Sequence, residues 1–180
     1  RYFSVEPFVL RAGVRTGLQI RYKNPAEVGA DRIAGAVGAM ARYPGRNIII
    51  IDFGTATTVE AVSSRQEYLG GAIVPGLGIS MRALEQNTAR LPKVEILRPA
   101  KACGRSTVES IQSGLYWGHV GLIRDLRNRI GTECFGASDP VVVGTGGFAG
   151  LLAEAGLFSE VLPDHVLEGV RIAQEMNAKE

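Results

Sequence analysis

The stretch Ile48-Ile49-Ile50-Ile51-Asp52-Phe53-Gly54-Thr55-Ala56-Thr57-Thr58 decides how this chain is read. Four consecutive isoleucines are the pattern of a strand buried on both faces. The run ends in Asp52, turns at Gly54 and leaves as a second, threonine-rich strand. Gly54 lets the backbone approach an anion closely. Amides around such a turn can cradle phosphate, and threonine hydroxyls can donate to its oxygens. Asp52 can hold a cation that offsets the phosphate charge. The plainer alternative is a tight hairpin with a turn aspartate, since threonine favours strands. Thr55, Thr57 and Thr58 crowded behind a wholly buried strand favour phosphate handling.

Downstream, residues 57–62 and 67–74 read as two more strands, with a hairpin turn at Ser63-Ser64-Arg65-Gln66. Pro75-Gly76 breaks the pattern, and a helix is expected over 79–87. An irregular connection with two prolines follows over 91–100, then a long helix from Ser106 or Thr107 to about residue 130. A short buried strand over 141–143 opens into Gly144-Thr145-Gly146-Gly147. A short helix, a short strand near 160–162 and a helix over 164–176 close the chain. Upstream, residues 5–20 read as short extended segments. Asn24-Pro25 signals a helix start, with Glu27 completing a capping pattern. Ile33, Val37 and Met40 recur at helical spacing, and the rest of that face is Ala and Gly, so this helix should pack closely on a neighbour. Pro44-Gly45 ends it. Three meandering strands followed by alternating helices and strands suit an α/β fold, a mixed sheet covered by helices.

With 180 residues, 46% of them apolar, the chain can build a sizeable core without staples. The net charge of +2 and the scattered basic residues argue against nucleic acid or an anionic membrane as partner. No apolar run reaches transmembrane length and no segment reads as a signal peptide. Cys103 and Cys134 lack metal spacing; a reducing cytoplasm with free thiols is the simple reading, a single disulfide the alternative. The first residue is Arg1, and the chain opens within what reads as a strand. A processed start or a piece of a longer protein is therefore expected.

Three further segments bear on chemistry. Gly144-Thr145-Gly146-Gly147 follows a buried strand and precedes a helix, where glycines let a phosphate or a flat ligand lie against the backbone. Paired with the Asp52 turn, it suggests a nucleotide between two loops. Gly29-Ala30-Asp31-Arg32 puts adjacent charges into a small, apolar helix; its surroundings suggest that Asp31 is buried, which would need a reason. A kinase needs a carboxylate to deprotonate its acceptor hydroxyl and often a guanidinium to hold an acidic substrate. Ser106-Thr107-Val108-Glu109-Ser110 opens a helix with a capping residue. His119 and His165 show no partner at catalytic spacing, and Tyr116 and Trp117 read as core or dimer-contact residues.

Taken together, Gly29-Ala30-Asp31-Arg32, the Asp52 turn, Leu69-Gly70-Gly71-Ala72-Ile73-Val74-Pro75-Gly76-Leu77, Thr88-Ala89 with Leu91-Pro92, and Thr107-Val108-Glu109-Ser110-Ile111 resemble the type III pantothenate kinases, in order along the chain. The resemblance implies the acetate-kinase, sugar-kinase, Hsp70 and actin type of fold, with ATP between two lobes. It implies that this chain is the second, ribonuclease H-like lobe of an actin-like ATPase/kinase fold, the first lobe being largely absent. Residues 1–45 would be a remnant of the first lobe plus the interdomain helix with the substrate motif, and residues 46–180 the second lobe. The family phosphorylates pantothenate at its primary hydroxyl, opening coenzyme A synthesis, with ATP, Mg²⁺ and a monovalent cation (K⁺ or NH₄⁺), as a homodimer.

The resemblance makes Asp31 the proton acceptor, with Tyr22, Gly29, Ala30, Arg32 and Thr107 lining the pantothenate site. Thr55 would contact ATP together with Gly54, Gly146 and Gly147, and Asp52 would be the monovalent-cation ligand. The departure is at the front: the family's Asp-x-Gly-Asn-Thr phosphate turn does not occur here, so little activity is expected of these residues alone. The competing readings are a nucleotide-binding regulatory accessory protein, a kinase of the same fold for another small hydroxy acid, and an ATPase or phosphatase.

Overall fold

The computed structural model describes residues 7–11, 13–88 and 90–178. In chain order the elements are β1 (Gln19–Ile20), α1 (Ala30–Arg42), β2 (Ile48–Phe53), β3 (Ala56–Val62), β4 (Glu67–Pro75), α2 (Leu77–Asn87), α3 (Thr107–Phe135), β5 (Val141–Thr145), α4 (Ala149–Leu152), β6 (Glu160–Val161) and α5 (His165–Asn177). Of the extended segments expected over 5–20, Val5, Glu6 and Ala12 lie outside the described residues. Within the rest, Gln19–Ile20 pairs in the sheet. Ala89 of the Thr88-Ala89 motif also lies outside them.

Six strands form one mixed sheet in the order β1-β4-β3-β2-β5-β6. β2, β3 and β4 meander antiparallel, while β1 joins β4, β5 joins β2 and β6 joins β5 in parallel. The isoleucine run sits at the centre because every one of its side chains finds a helix layer. Ile49, Ile51 and Phe53 pack with Met81, Leu115, Tyr116 and Ile123 from α2 and α3. Ile48 and Ile50 point the other way and pack with Ala36, Ala39, Tyr68 and Val143. That alternation is the period of two of a pleated strand.

The helix signalled at Asn24-Pro25 divides in two. Asn24 caps a single 3-10 turn, Pro25–Glu27, by accepting from the Ala26 amide at 3.3 Å. The chain then extends at Val28, which is drawn into the core, and α1 begins afresh at Ala30 behind Gly29. The break places Asp31 and Arg32 in the first turn of a new helix. The close packing expected of α1 is found against α5. A Cβ at Gly169 would stand 1.8 Å from the Ala34 carbonyl oxygen, and one at Gly38 2.2 Å from that of His165. The two helix backbones touch because neither residue has a side chain.

Cys103 and Cys134 are both free and exposed, which removes the disulfide alternative. No helix among the described residues is long and apolar enough to cross a membrane.

Candidate active site

Strand alternation carries Asp52 to the same face as Ile48 and Ile50, under α1 and α5. In the antiparallel register Thr58 lies opposite Asp52 and Glu60 opposite Ile50; β5 lays Thr145 beside Asp52. The first turns of α1 and α5 close over these strand ends. A narrow cleft results, walled by Asp31, Arg32, Asp52, Glu60, Thr145 and His165.

Arg32 is the fixed point of this cleft. Its Nε donates to Glu60 Oε1 at 2.5 Å and its Nη2 to the Tyr68 hydroxyl at 2.5 Å. Its guanidinium carbon stands 5.6 Å from the centre of the Tyr68 ring and 5.9 Å from that of Tyr22. The two tyrosine rings lie 6.1 Å apart, so Tyr22 joins the Arg32 assembly. Burial alone would lower the Arg32 pKa, but the Glu60 hydrogen bond and charge raise it. Burial pushes the Glu60 carboxyl up, and Arg32 pulls it back.

The buried carboxylate beside an arginine is therefore Glu60, at 2% exposure, and not Asp31. Asp31 is exposed, which corrects the expectation from sequence. The physical reason lies in the helix start. Asp31 lies in the first turn of α1, ahead of the run from Ala34 to Ala39 that is buried. The Asp31 carboxylate folds back to accept from the Arg32 amide at 2.9 Å, into space left by Gly29, where a Cβ would meet Asp31 Oδ1 at 2.5 Å. Ala30 is exposed next to it.

Asp52 is half-buried. Burial pushes its carboxyl above the usual range; His165 pulls it down and Asp31 pushes it up. No hydrogen-bond donor among the described residues contributes to that balance. A desolvated carboxylate without a donor is a fitting ligand for a small cation. Gly146, at φ +85°, lies directly on it: a Cβ there would stand 2.4 Å from Asp52 Oδ1 and 2.6 Å from the Phe53 carbonyl carbon. The Phe148 amide donates to the Phe53 carbonyl at 3.3 Å. The Gly54-Thr55 turn and the Gly146-Gly147 loop thus meet, with Thr55, Gly146 and Gly147 exposed.

The three threonines are dispersed. Thr55 is exposed at the turn, and Thr58 lines the cleft. Thr57 points through the other face, where its hydroxyl lies 3.0 Å from Nε2 of the buried His119. A period of two sends neighbouring strand residues to opposite faces, so the pair cannot act on one phosphate.

Thr107 does not meet Asp31. Ser106 is the cap of α3, accepting from the Glu109 amide at 3.2 Å, and Glu109 accepts in turn from the Arg105 amide at 2.6 Å. Thr107 opens instead onto a wide cavity of about 930 Å³ with Ser80, Leu84, Leu91, Arg105 and Ser110. That cavity lies on the α2/α3 side of the sheet, and Asp31 on the α1/α5 side. Tyr116 is wholly buried in the core, while Trp117 is exposed.

Sequence reasoning missed Glu60, Tyr68 and His165. Glu60 had a signal: a lone acid in Ala-Thr-Thr-Val-Glu-Ala-Val, on a strand otherwise suited to burial, requires a partner. Tyr68 and His165 had none, since both act through distant elements. Burial holds the His165 imidazole below its ordinary value, against the raising influence of the Leu162 carbonyl and Asp52.

Known proteins match this chain closely. The family model described as type III pantothenate kinase covers residues 1–129. A type III pantothenate kinase of Legionella pneumophila (strain Paris) is 54% identical over 177 residues, which span 98% of this chain and 69% of the relative. That of Elusimicrobium minutum is 49% identical and type III pantothenate kinase 1 of Francisella tularensis (strain LVS) 44% identical, each over the same shares. A crystal structure described as a conserved Baf family transcriptional activator from Campylobacter jejuni has the same fold. Its TM-score is 0.63 at 21% identity, over 89% of this chain and 68% of that one. This chain belongs to the type III pantothenate kinase family.

Proposed function

We propose that this chain phosphorylates pantothenate with ATP to give 4'-phosphopantothenate, the first step of coenzyme A biosynthesis, with Asp31 as proton acceptor. The observation that carries the assignment is the pairing of an exposed carboxylate, Asp31, with the neighbouring Arg32 guanidinium locked by Glu60 and Tyr68. A guanidinium has five N–H donors. Glu60 and Tyr68 engage two of them, and a donor left on the exposed edge can meet an acidic or carbonyl-bearing substrate. An alcohol is too weak an acid to ionise unaided, so Asp31 receives its proton as the new oxygen–phosphorus bond forms. The rest is positioning and charge neutralisation. A regulatory protein without turnover would have no use for such an acceptor clamp.

Gly54, Thr55, Gly146 and Gly147 supply the backbone against which the ATP phosphates lie. Asp52 holds the monovalent cation, which supplies charge neutralisation when bound. No group of three or more His, Cys, Asp or Glu side chains among the described residues is placed to hold a metal. When bound, Mg²⁺ would be held by the ATP phosphate oxygens together with one or two carboxylates. On this reading residues 46–180 form the second lobe of an actin-like fold, and residues 1–45 the end of the first lobe with the interdomain helix. The enzyme works in the cytoplasm.

A single chain does not bring Thr107 and Asp31 to one substrate, because they lie across the sheet from each other. A homodimer can. The outer face of α3 carries Gly114, Trp117, Gly118, Gly121 and Leu122, all exposed at helical spacing and continuous with the Thr107 cavity. Mixing Asp31→Asn chains with Thr107→Val chains should recover turnover that neither has alone; no recovery would remove the shared site.

The test of the main assignment is Asp31→Asn in the protein expressed in full. A general base contributes about 10²–10⁴-fold, so kcat should fall by that factor while ATP binding stays intact. A variant that keeps most of its rate shows that Asp31 is not the base.

A further inference from the structure

Ile73 on β4 is 58% exposed, and of the large apolar side chains exposed among the described residues it is the one carried by the sheet. A lone exposed isoleucine is ordinary on a protein surface. Position and substrate chemistry give this one a role. Its neighbour Val74 packs into the α2/α3 core, so strand alternation turns Ile73 to the opposite face, the one that bears the cleft. Ile73 pairs with Thr58, Thr58 with Asp52 and Asp52 with Thr145, which makes one row across four strands. Thr58, Asp52 and Thr145 all line the cleft. Ile73 extends that wall by one strand, about 4.8 Å further out. Along β4, two glycines separate it from the Arg32 assembly. Gly70 lies under the Tyr22 ring, whose Cε2 is 3.4 Å from where a Cβ would stand, and Gly71 pairs with Glu60. No β4 side chain on this face therefore interrupts the shelf from Tyr22 to Ile73.

Pantothenate carries two methyl groups on the carbon that bears its reacting hydroxymethyl group. With that hydroxyl at Asp31, the methyl groups lie at the same cleft, whose walls are mostly polar: Asp31, Arg32, Asp52, Thr58, Glu60 and Thr145. We propose that Ile73 is a specificity-determining residue: it forms the apolar side of the acceptor site, packs on the paired methyl groups and makes the enzyme prefer a branched hydroxy acid to its unbranched counterpart. The inference rests on the pantothenate reading with Asp31 as base and adds the residue that reads the branch. A carboxylate and a guanidinium orient a hydroxyl and an acid or carbonyl group, but they do not tell methyl from hydrogen. An apolar wall does, because each methyl group packed on it takes apolar surface out of water.

The experiment compares, in the protein expressed in full, kcat/KM for pantothenate with that for the analogue carrying hydrogens in place of both methyl groups. One methylene in an apolar pocket is worth about 10–200-fold, and Ile73 is a wall open on one side, so the wild type should favour pantothenate by about 10-fold or more. Ile73→Thr keeps a β-branched side chain suited to a strand and sets a hydroxyl against the methyl groups. Its ratio should fall several-fold toward unity, through a raised KM for pantothenate. Ile73→Val retains the apolar wall and should keep most of the preference. The ratio compares two substrates on one protein, so any loss of folded enzyme cancels from it. A ratio unchanged in Ile73→Thr overturns the inference. So does one that falls only in Val166→Thr, where the other half-buried apolar side chain of the cleft is changed. Equal kcat/KM for the two substrates in the wild type overturns it and leaves the pantothenate reading in place. No turnover of either substrate brings down both.

Discussion

Removing the Glu60 carboxylate is the sharpest perturbation of the cleft. Glu60→Ala leaves the Arg32 guanidinium charged, because arginine does not deprotonate in proteins. Its side chain is 12% exposed and that of Glu60 3%, so water cannot restore the lost partner. Breaking a buried ion pair from one side costs about 3–5 kcal/mol. For a chain of this size each kcal/mol moves Tm by about 2–4 °C, so Glu60→Ala should melt roughly 6–20 °C lower. Glu60→Gln keeps an acceptor for the Arg32 Nε–H and loses the charge, with an expected cost of about 1.5–3 kcal/mol. The distinctive outcome is the double variant. Replacing both partners by apolar groups is often neutral, so Glu60→Ala with Arg32→Met should be more stable than Glu60→Ala alone. Urea titrations at pH 7.5 on the four proteins supply the cycle. A Glu60→Ala cost under about 1 kcal/mol, or a double variant that loses the sum of the two singles, would refute the buried-pair reasoning.

Arg32→Lys should raise KM for pantothenate far more than it lowers kcat, since a lysine cannot hold Glu60, Tyr68 and substrate at once; steady-state kinetics of the full protein checks this. Gly169→Ala should cost about 3 kcal/mol or more, because its Cβ would fall 1.8 Å from the Ala34 carbonyl oxygen. Gly118→Ala is the control: beyond its chain neighbours and its own helix backbone no described atom lies within 4 Å of its Cβ, and helix propensity should stabilise it by about 1 kcal/mol in the monomer by thermal unfolding. Burial lowers the His119 pKa below the ordinary 6.5. The folded state therefore resists protonation, so the His119 contribution is full above pH 6.5 and is lost as pH falls toward the lowered value. His119→Gln should flatten the stability profile between pH 7.5 and 5.5, and an unchanged slope would remove His119 from that role.

Much of the fold was legible because it rests on local pattern. Four isoleucines announced the central strand, Ser63 to Gln66 the hairpin, and the Ala and Gly face of α1 a close neighbour. The site was legible only in part. Asp31, Arg32, Asp52 and the glycine loop could be singled out as charges and glycines in the wrong company. The burial of Asp31 could not be judged, because exposure in the first turn of a helix depends on where the sheet beneath it ends. Nor could the identity of the neighbour that α1 requires, since α5 lies more than a hundred residues away.

The sequence by itself determined the alternation within β3 that sorts Thr58 and Glu60 to one face and Thr57 to the other, a consequence of pleated backbone; the β2–β3 register then puts Asp52 on the face of Thr58. It also carried the motifs that mark the family. Tertiary structure alone decided which groups meet: Arg32 with Glu60 and Tyr68, His165 and Asp52 in the wall of one cleft, and Thr107 on the far side of the sheet from Asp31. Those meetings depend on crossover connections and on two helices approaching to backbone contact. Such long-range geometry is written in no window of the chain short enough to read as a motif.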